Sequence, residues 1–102
     1  MGGVGFFLAE YCLMSSIVSG KRCLELGCGG TGVVSTICSR MDPRAYMATD
    51  YNDEVLEKLS SNLVDNNVHE VMVRRLDWFD VDDAILAESA PELILLSDTV
   101  RE

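Results

Sequence analysis

The chain has one histidine, His69, and no C-x-x-C pair among its four cysteines. A zinc site built from histidines and paired thiols is therefore not expected. Basic residues are scarce: 8 Lys and Arg stand against 17 Asp and Glu, a formal net charge of −9 over 102 residues. A nucleic-acid surface needs clustered cations, so that class of partner is not expected either. No apolar run reaches the roughly 20 residues that a bilayer crossing requires. The apolar stretch from Phe6 to Met14 is broken by Glu10 and has no basic segment before it, which argues against a signal peptide. Internal repeats, low-complexity tracts and linkers are also missing, and the length leaves room for one domain. What is present, 48% hydrophobic and 25% charged residues, is the composition of a chain that buries a core. Cys12, Cys23, Cys28 and Cys38 are read as reduced thiols, three of them on apolar faces, in a cytoplasmic protein with a nuclear location also open.

The most informative stretch is Arg22-Cys23-Leu24-Glu25-Leu26-Gly27-Cys28-Gly29-Gly30-Thr31-Gly32. It reads as a short apolar strand, a glycine-rich turn and the start of a helix. Gly27, Gly29 and Gly32 have the G-x-G-x-x-G spacing, which permits a tight turn and close approach of a ligand to the backbone. Spacing alone is a weak signal, since many glycine turns hold nothing. Glu25, two residues before the first glycine, adds a charge argument. It would repel the pyrophosphate of a dinucleotide, whereas the sulfonium and ammonium of S-adenosyl-L-methionine suit a carboxylate. The plain alternative is an ordinary strand-turn-helix with an exposed glutamate.

Taken in order, Phe6 to Val18 is expected to be a helix with Phe7, Leu8, Tyr11, Cys12 and Ile17 on one side, ended by Ser19-Gly20. Strands are expected at Arg22 to Leu26, Ala45 to Thr49, Glu70 to Leu76 and Leu93 to Leu96. Helices are expected between them, over Gly32 to Met41, from Asn52-Asp53 to Asn66, and over Asp82 to Glu88. Strands alternating with helices imply α/β architecture with a parallel sheet. The fourth strand is apolar without alternation, the pattern of a strand covered on both faces.

Each strand tip carries a candidate functional group. Asp50 ends the second strand roughly 20 residues beyond the turn, where a carboxylate can accept from both hydroxyls of a ribose; helix capping is its plain alternative. Asp77 and Trp78 follow the third strand, where an indole can wall an adenine and a carboxylate can accept from its amino group; a core aromatic is the plain alternative for Trp78. Asp98 follows the fourth. In open α/β sheets ligands sit outside the carboxyl ends of the strands, at the point where the strand order reverses.

Leu24-Glu25-Leu26-Gly27-Cys28-Gly29, Ala48-Thr49-Asp50-Tyr51, Leu76-Asp77-Trp78 and Leu93-Ile94-Leu95-Leu96-Ser97-Asp98, together with Leu8-Ala9-Glu10-Tyr11 near the start, occur in that order along nearly the whole chain. In these pieces the chain resembles the lysine-methyltransferase-like branch of class I, seven-strand methyltransferases, methyltransferase family 16. The resemblance implies a Rossmann-like class I fold of which residues 1–102 are a single partial domain holding strands one to four: an N-terminal helix over 1–20 and a cofactor-binding half over 21–102. It implies S-adenosyl-L-methionine as cofactor, with Glu25, Gly27, Cys28 and Gly29 at its methionine part, Asp50 at the ribose, Asp77 and Trp78 at the adenine, and Asp98 on the substrate side. The implied reaction is methyl transfer to a protein side chain, lysine first, and a basic protein substrate would suit the negative charge. The chain departs from the family pattern in having Thr31 at the usual third glycine and Arg101 where a tyrosine is common. Because the family fold has three further strands, a fragment or a truncated gene product is expected. The rival readings are a non-catalytic paralogue serving as a binding module, and a nucleotide-linked oxidoreductase, which Glu25 disfavours.

Overall fold

The computed structural model describes residues 12–77, 80 and 83–97. Residues 12–18 are helical (α1). They are followed by β1 (Arg22–Leu26), α2 (Val33–Ser39), β2 (Ala45–Asp50), α3 (Asp53–Asp65), β3 (Val71–Arg75), α4 (Asp83–Ser89) and β4 (Leu93–Leu96). The strands form one parallel sheet in the order β3-β2-β1-β4.

That order, with right-handed crossovers, decides which face each helix covers. The chain steps outward from β1 to β2 to β3, then returns across the sheet to β4 beyond β1. Reversing the direction of travel moves the crossover helix to the opposite face. Cys23, Tyr46, Ala48, Val71, Val73, Leu93 and Leu95 accordingly point to one side, where Cys38 of α2, Leu59 and Leu63 of α3, and Val18 of α1 complete the main core. Leu24 and Met47, of the opposite parity, are buried on the other side, where α4 packs on β1 and β2. Arg74 marks the same face, since it forms a two-point ion pair with Glu88 of α4 at 2.7 and 3.2 Å.

Local chemistry explains the element ends. Asn52 caps α3, its side-chain oxygen accepting from the N–H groups of Glu54 and Val55 at 2.9 and 3.2 Å. Asp53 and Glu54 favour the positive end of that helix. α2 is shorter than the expected Gly32 to Met41. Gly32 is left-handed at φ 72°, and Asp42 is left-handed at φ 57°, so the chain turns at both ends.

Two expectations need correction. In the described part of the first helix, Met14 and Val18 face the core, four residues apart, whereas Cys12 and Ile17 are exposed. The expected positions from Phe6 to Tyr11 lie outside the described residues. β4 is covered on one face only: Leu93 and Leu95 pack against the core, while Ile94 and Leu96 are 54% and 56% exposed. The α4 helix lies over β1 and β2 and leaves the far side of β4 uncovered.

Candidate cofactor site at the sheet switch point

Because β1 and β4 are neighbours while β2 lies on β1's other side, the carboxyl end of β1 is where the strand order reverses. The glycine turn stands there. Gly27, Gly29 and Gly32 have φ of 65°, 70° and 72°, a conformation in which side chains with a Cβ are strained. The turn is fastened to every neighbour. The N–H of Cys28 donates to Thr49 O at 3.0 Å, and the Gly29 N–H donates to Asp50 Oδ2 at 3.2 Å. From α3, the Asn62 side-chain amide donates to Gly30 O at 2.7 Å. A Cβ on Gly30 would meet the Lys58 stem at 2.9 Å, and one on Gly32 would meet Leu59 at 3.1 Å, so α3 packs closely on the turn. A Cβ on Gly29 would meet nothing within 4 Å, so space is left above that residue.

Asp50 is 1% exposed. Besides holding Gly29, its other oxygen accepts from the Asn52 N–H at 3.1 Å, and its carbonyl accepts from Leu76 N–H at 3.0 Å. It therefore links the glycine turn, the start of α3 and the segment leaving β3. Asp77 comes next, half-buried and bridged to Asp80, one residue beyond Leu76, whose N–H reaches Asp50 O. Trp78 and Asp98 lie outside the described residues.

The structure places Glu25 differently from an exposed carboxylate on the rim. It shares the inward parity of Cys23 and is 0% exposed, beneath the turn. Its Oε1 accepts from Ser35 of α2 and Tyr46 of β2, each at 2.6 Å, and its Oε2 accepts from Ser97, just past β4. Three hydroxyls from three elements thus replace the water that a buried carboxylate gives up. Burial, and then the negative charge of Glu25, raise the Tyr46 hydroxyl far above the usual phenol range, so it keeps its proton and donates. Burial first and Glu25 second push the Cys38 thiol up to about 11, which leaves it protonated and unreactive at neutral pH. Cys28, in the turn, is also buried. Ser35, Tyr46 and Ser97 were not singled out from the sequence. The available signal was an acidic residue at an inward strand position, which requires donors from somewhere.

A cavity of about 460 Å³ lies at the other end of the sheet, lined by Arg40, Pro43, Arg44, Ala45 and Glu70 among others. It holds none of the strand-tip groups, and the chemistry identifies the glycine turn as the site. Among the described residues no cluster of His, Cys, Asp and Glu could hold a metal ion. No helix in that set is long and apolar enough to cross a membrane.

A parallel sheet of order 3-2-1-4, with helices on both faces and a glycine turn after its first strand, is the Rossmann-like arrangement of methyltransferases. The structure is similar to a protein-L-isoaspartate O-methyltransferase with a TM-score of 0.67 and 21% identity, over 93% of this chain and 30% of that one. It is also similar to the Trypanosoma brucei PRMT1 enzyme–prozyme complex with AdoHcy, with a TM-score of 0.57 and 28% identity, over 74% of this chain and 23% of that one. The family model described as lysine methyltransferase matches residues 4–102, and the chain belongs to that family. The protein-lysine N-methyltransferase EEF2KMT of Bos taurus is 31% identical over 117 residues, covering 92% of this chain and 34% of the relative. The chain spans about a third of the length of the curated relatives it matches.

Proposed function

We propose that the chain is the cofactor-binding part of a methyltransferase that uses S-adenosyl-L-methionine and modifies a lysine side chain of a protein. The observation that carries this reading is Asp50 held against Gly29 at the switch point of a sheet whose family is lysine methyltransferase. The groups present suit the cofactor. A ribose offers two hydroxyl donors, and each Asp50 carboxylate oxygen, already oriented by one backbone N–H, keeps a further lone pair for a ligand that reaches this buried group. The turn leaves room above Gly29 for a ligand to approach the backbone. The interior charges beside the turn are Glu25 and Asp50, whereas the nearest lysine, Lys58, is solvent-exposed; this balance favours a cationic ligand over a pyrophosphate.

In this reading residues 21–102 form the cofactor-binding half of a single domain and residues 1–20 its N-terminal helix. Glu25, Gly27, Cys28 and Gly29 form the wall at the methionine end, with Glu25 acting from beneath the turn. Asp50 holds the ribose, Asp77 and Trp78 flank the adenine, and Asp98 positions the acceptor. Bound S-adenosyl-L-methionine would supply a methyl group already activated on sulfur. The chain's own contribution is then orientation: the turn and Asp50 fix one reactant so that an in-line approach by the other is favoured. A lysine acceptor must be neutral to attack, and a carboxylate at Asp98 would align the amine.

Isothermal calorimetry on the full chain tests this. S-adenosylmethionine and S-adenosylhomocysteine are expected to bind and NAD is not. Binding of NAD alone would overturn the assignment, and tight binding of the methyl donor without transfer to any protein would favour a binding module.

A further inference from the structure

Ser97 lies one residue beyond β4, and its N–H donates to Leu26 O at 3.3 Å, extending the β1–β4 ladder by one step. Its hydroxyl oxygen lies close to three acceptors: Glu25 Oε2, Gly27 O at 3.1 Å and Leu26 O at 3.5 Å. A hydroxyl has one proton to give, and the contact to Glu25 is the shortest of the three, so Glu25 receives it. Ser97 is therefore in contact with the carboxylate beneath the turn and with the first carbonyl of the turn at once. The other two donors to Glu25, Ser35 and Tyr46, are buried and hold only the inner oxygen. Ser97 is half-buried and holds the other oxygen, Oε2. Oxygen atoms outnumber protons there, so the spare lone pairs of Ser97 and Gly27 suit a donor-rich cation.

Building on the reading of the turn as a methyl-donor site, we propose that Ser97 is a positioning residue for the amino-acid end of that ligand. Its hydroxyl holds the Glu25 carboxylate by donating to it, while its oxygen stands beside the Gly27 carbonyl, and the two oxygens together set the acceptor geometry that an ammonium group meets. Ser35 and Tyr46 keep Glu25 in the core; Ser97 connects it to the ligand side.

The test is calorimetry on the full chain with two probes, S-adenosylhomocysteine and 5′-methylthioadenosine, which lacks the amino acid. Ser97→Ala is expected to weaken S-adenosylhomocysteine binding by about tenfold, the size of one lost charge-assisted hydrogen bond. Methylthioadenosine affinity should stay within about twofold, because its contacts avoid the cage. Ser97→Thr keeps the hydroxyl and should restore the first affinity. Thermal melting establishes that each variant is folded. Should Ser97→Ala fail to fold, Ser97→Cys, with its weaker donor, is expected to show the same selective loss to a smaller degree. Equal weakening of both probes, or no weakening of either, would overturn the role of Ser97 while leaving the cofactor assignment standing. A wild-type chain that binds neither probe would overturn both.

Discussion

The two outer strands of the sheet are finished in opposite ways. β3 ends in Arg74 and Arg75, which pair with Glu88 of α4 and Asp53 of α3. β4 is Leu93-Ile94-Leu95-Leu96, with Ile94 and Leu96 more than half exposed. Charge on an outer strand discourages a further strand from pairing with it, whereas bare apolar residues invite one. The β3 side is thus a solvated boundary, and the β4 side is a surface that lowers its free energy by being covered. The glycine turn and the Glu25 cage lie on the β4 half of the molecule, so the functional rim adjoins the uncovered side.

Substitutions can separate these two characters. The largest effect is expected from Leu95→Asp, which places a charge against the core side of β4. Burying an unpaired carboxylate there should cost about 2–4 kcal/mol, enough to abolish cooperative melting in a marginally stable chain, as read by circular dichroism. A Leu95→Asp variant that melts as wild type would remove β4 from the core. On the opposite face of the same strand, Ile94→Lys with Leu96→Lys is expected to leave the melting temperature nearly unchanged and to reduce self-association in sedimentation velocity. The smallest effect is expected from Arg74→Ala on β3. Both partners of its ion pair are about 40% exposed, so the loss should stay below about 1 kcal/mol in urea unfolding. A larger loss than that of Leu95→Asp would reverse the ranking of the two edges.

Much of this was legible in the sequence because local chemistry sets it. The alternation of Val71 and Val73 against Met72 and Arg74, the glycines after Leu26, and the Asn52-Asp53-Glu54 start of α3 each specify one conformation. The burial of β4 was not legible, since four consecutive apolar residues read the same whether one face or both is covered. Asp50 was placed at the rim by its position at a strand end, but its bond to Gly29 needed the fold. The inward turn of Glu25 was hidden for a related reason. Its donors stand 10, 21 and 72 residues away in the chain, and nothing local to Glu25 announces hydroxyls arriving from α2, β2 and the end of β4.

The helix α3 reaches the rim at two separate places. Its cap Asn52 is tied through its backbone N–H to the Asp50 carboxylate, and Asn62, almost three turns later, grips Gly30 O. Any sliding of this helix along its axis would therefore drag both the β2 carboxylate and the glycine loop with it. The two halves of the cradle are yoked to one rod, and their spacing is as stiff as the helix itself.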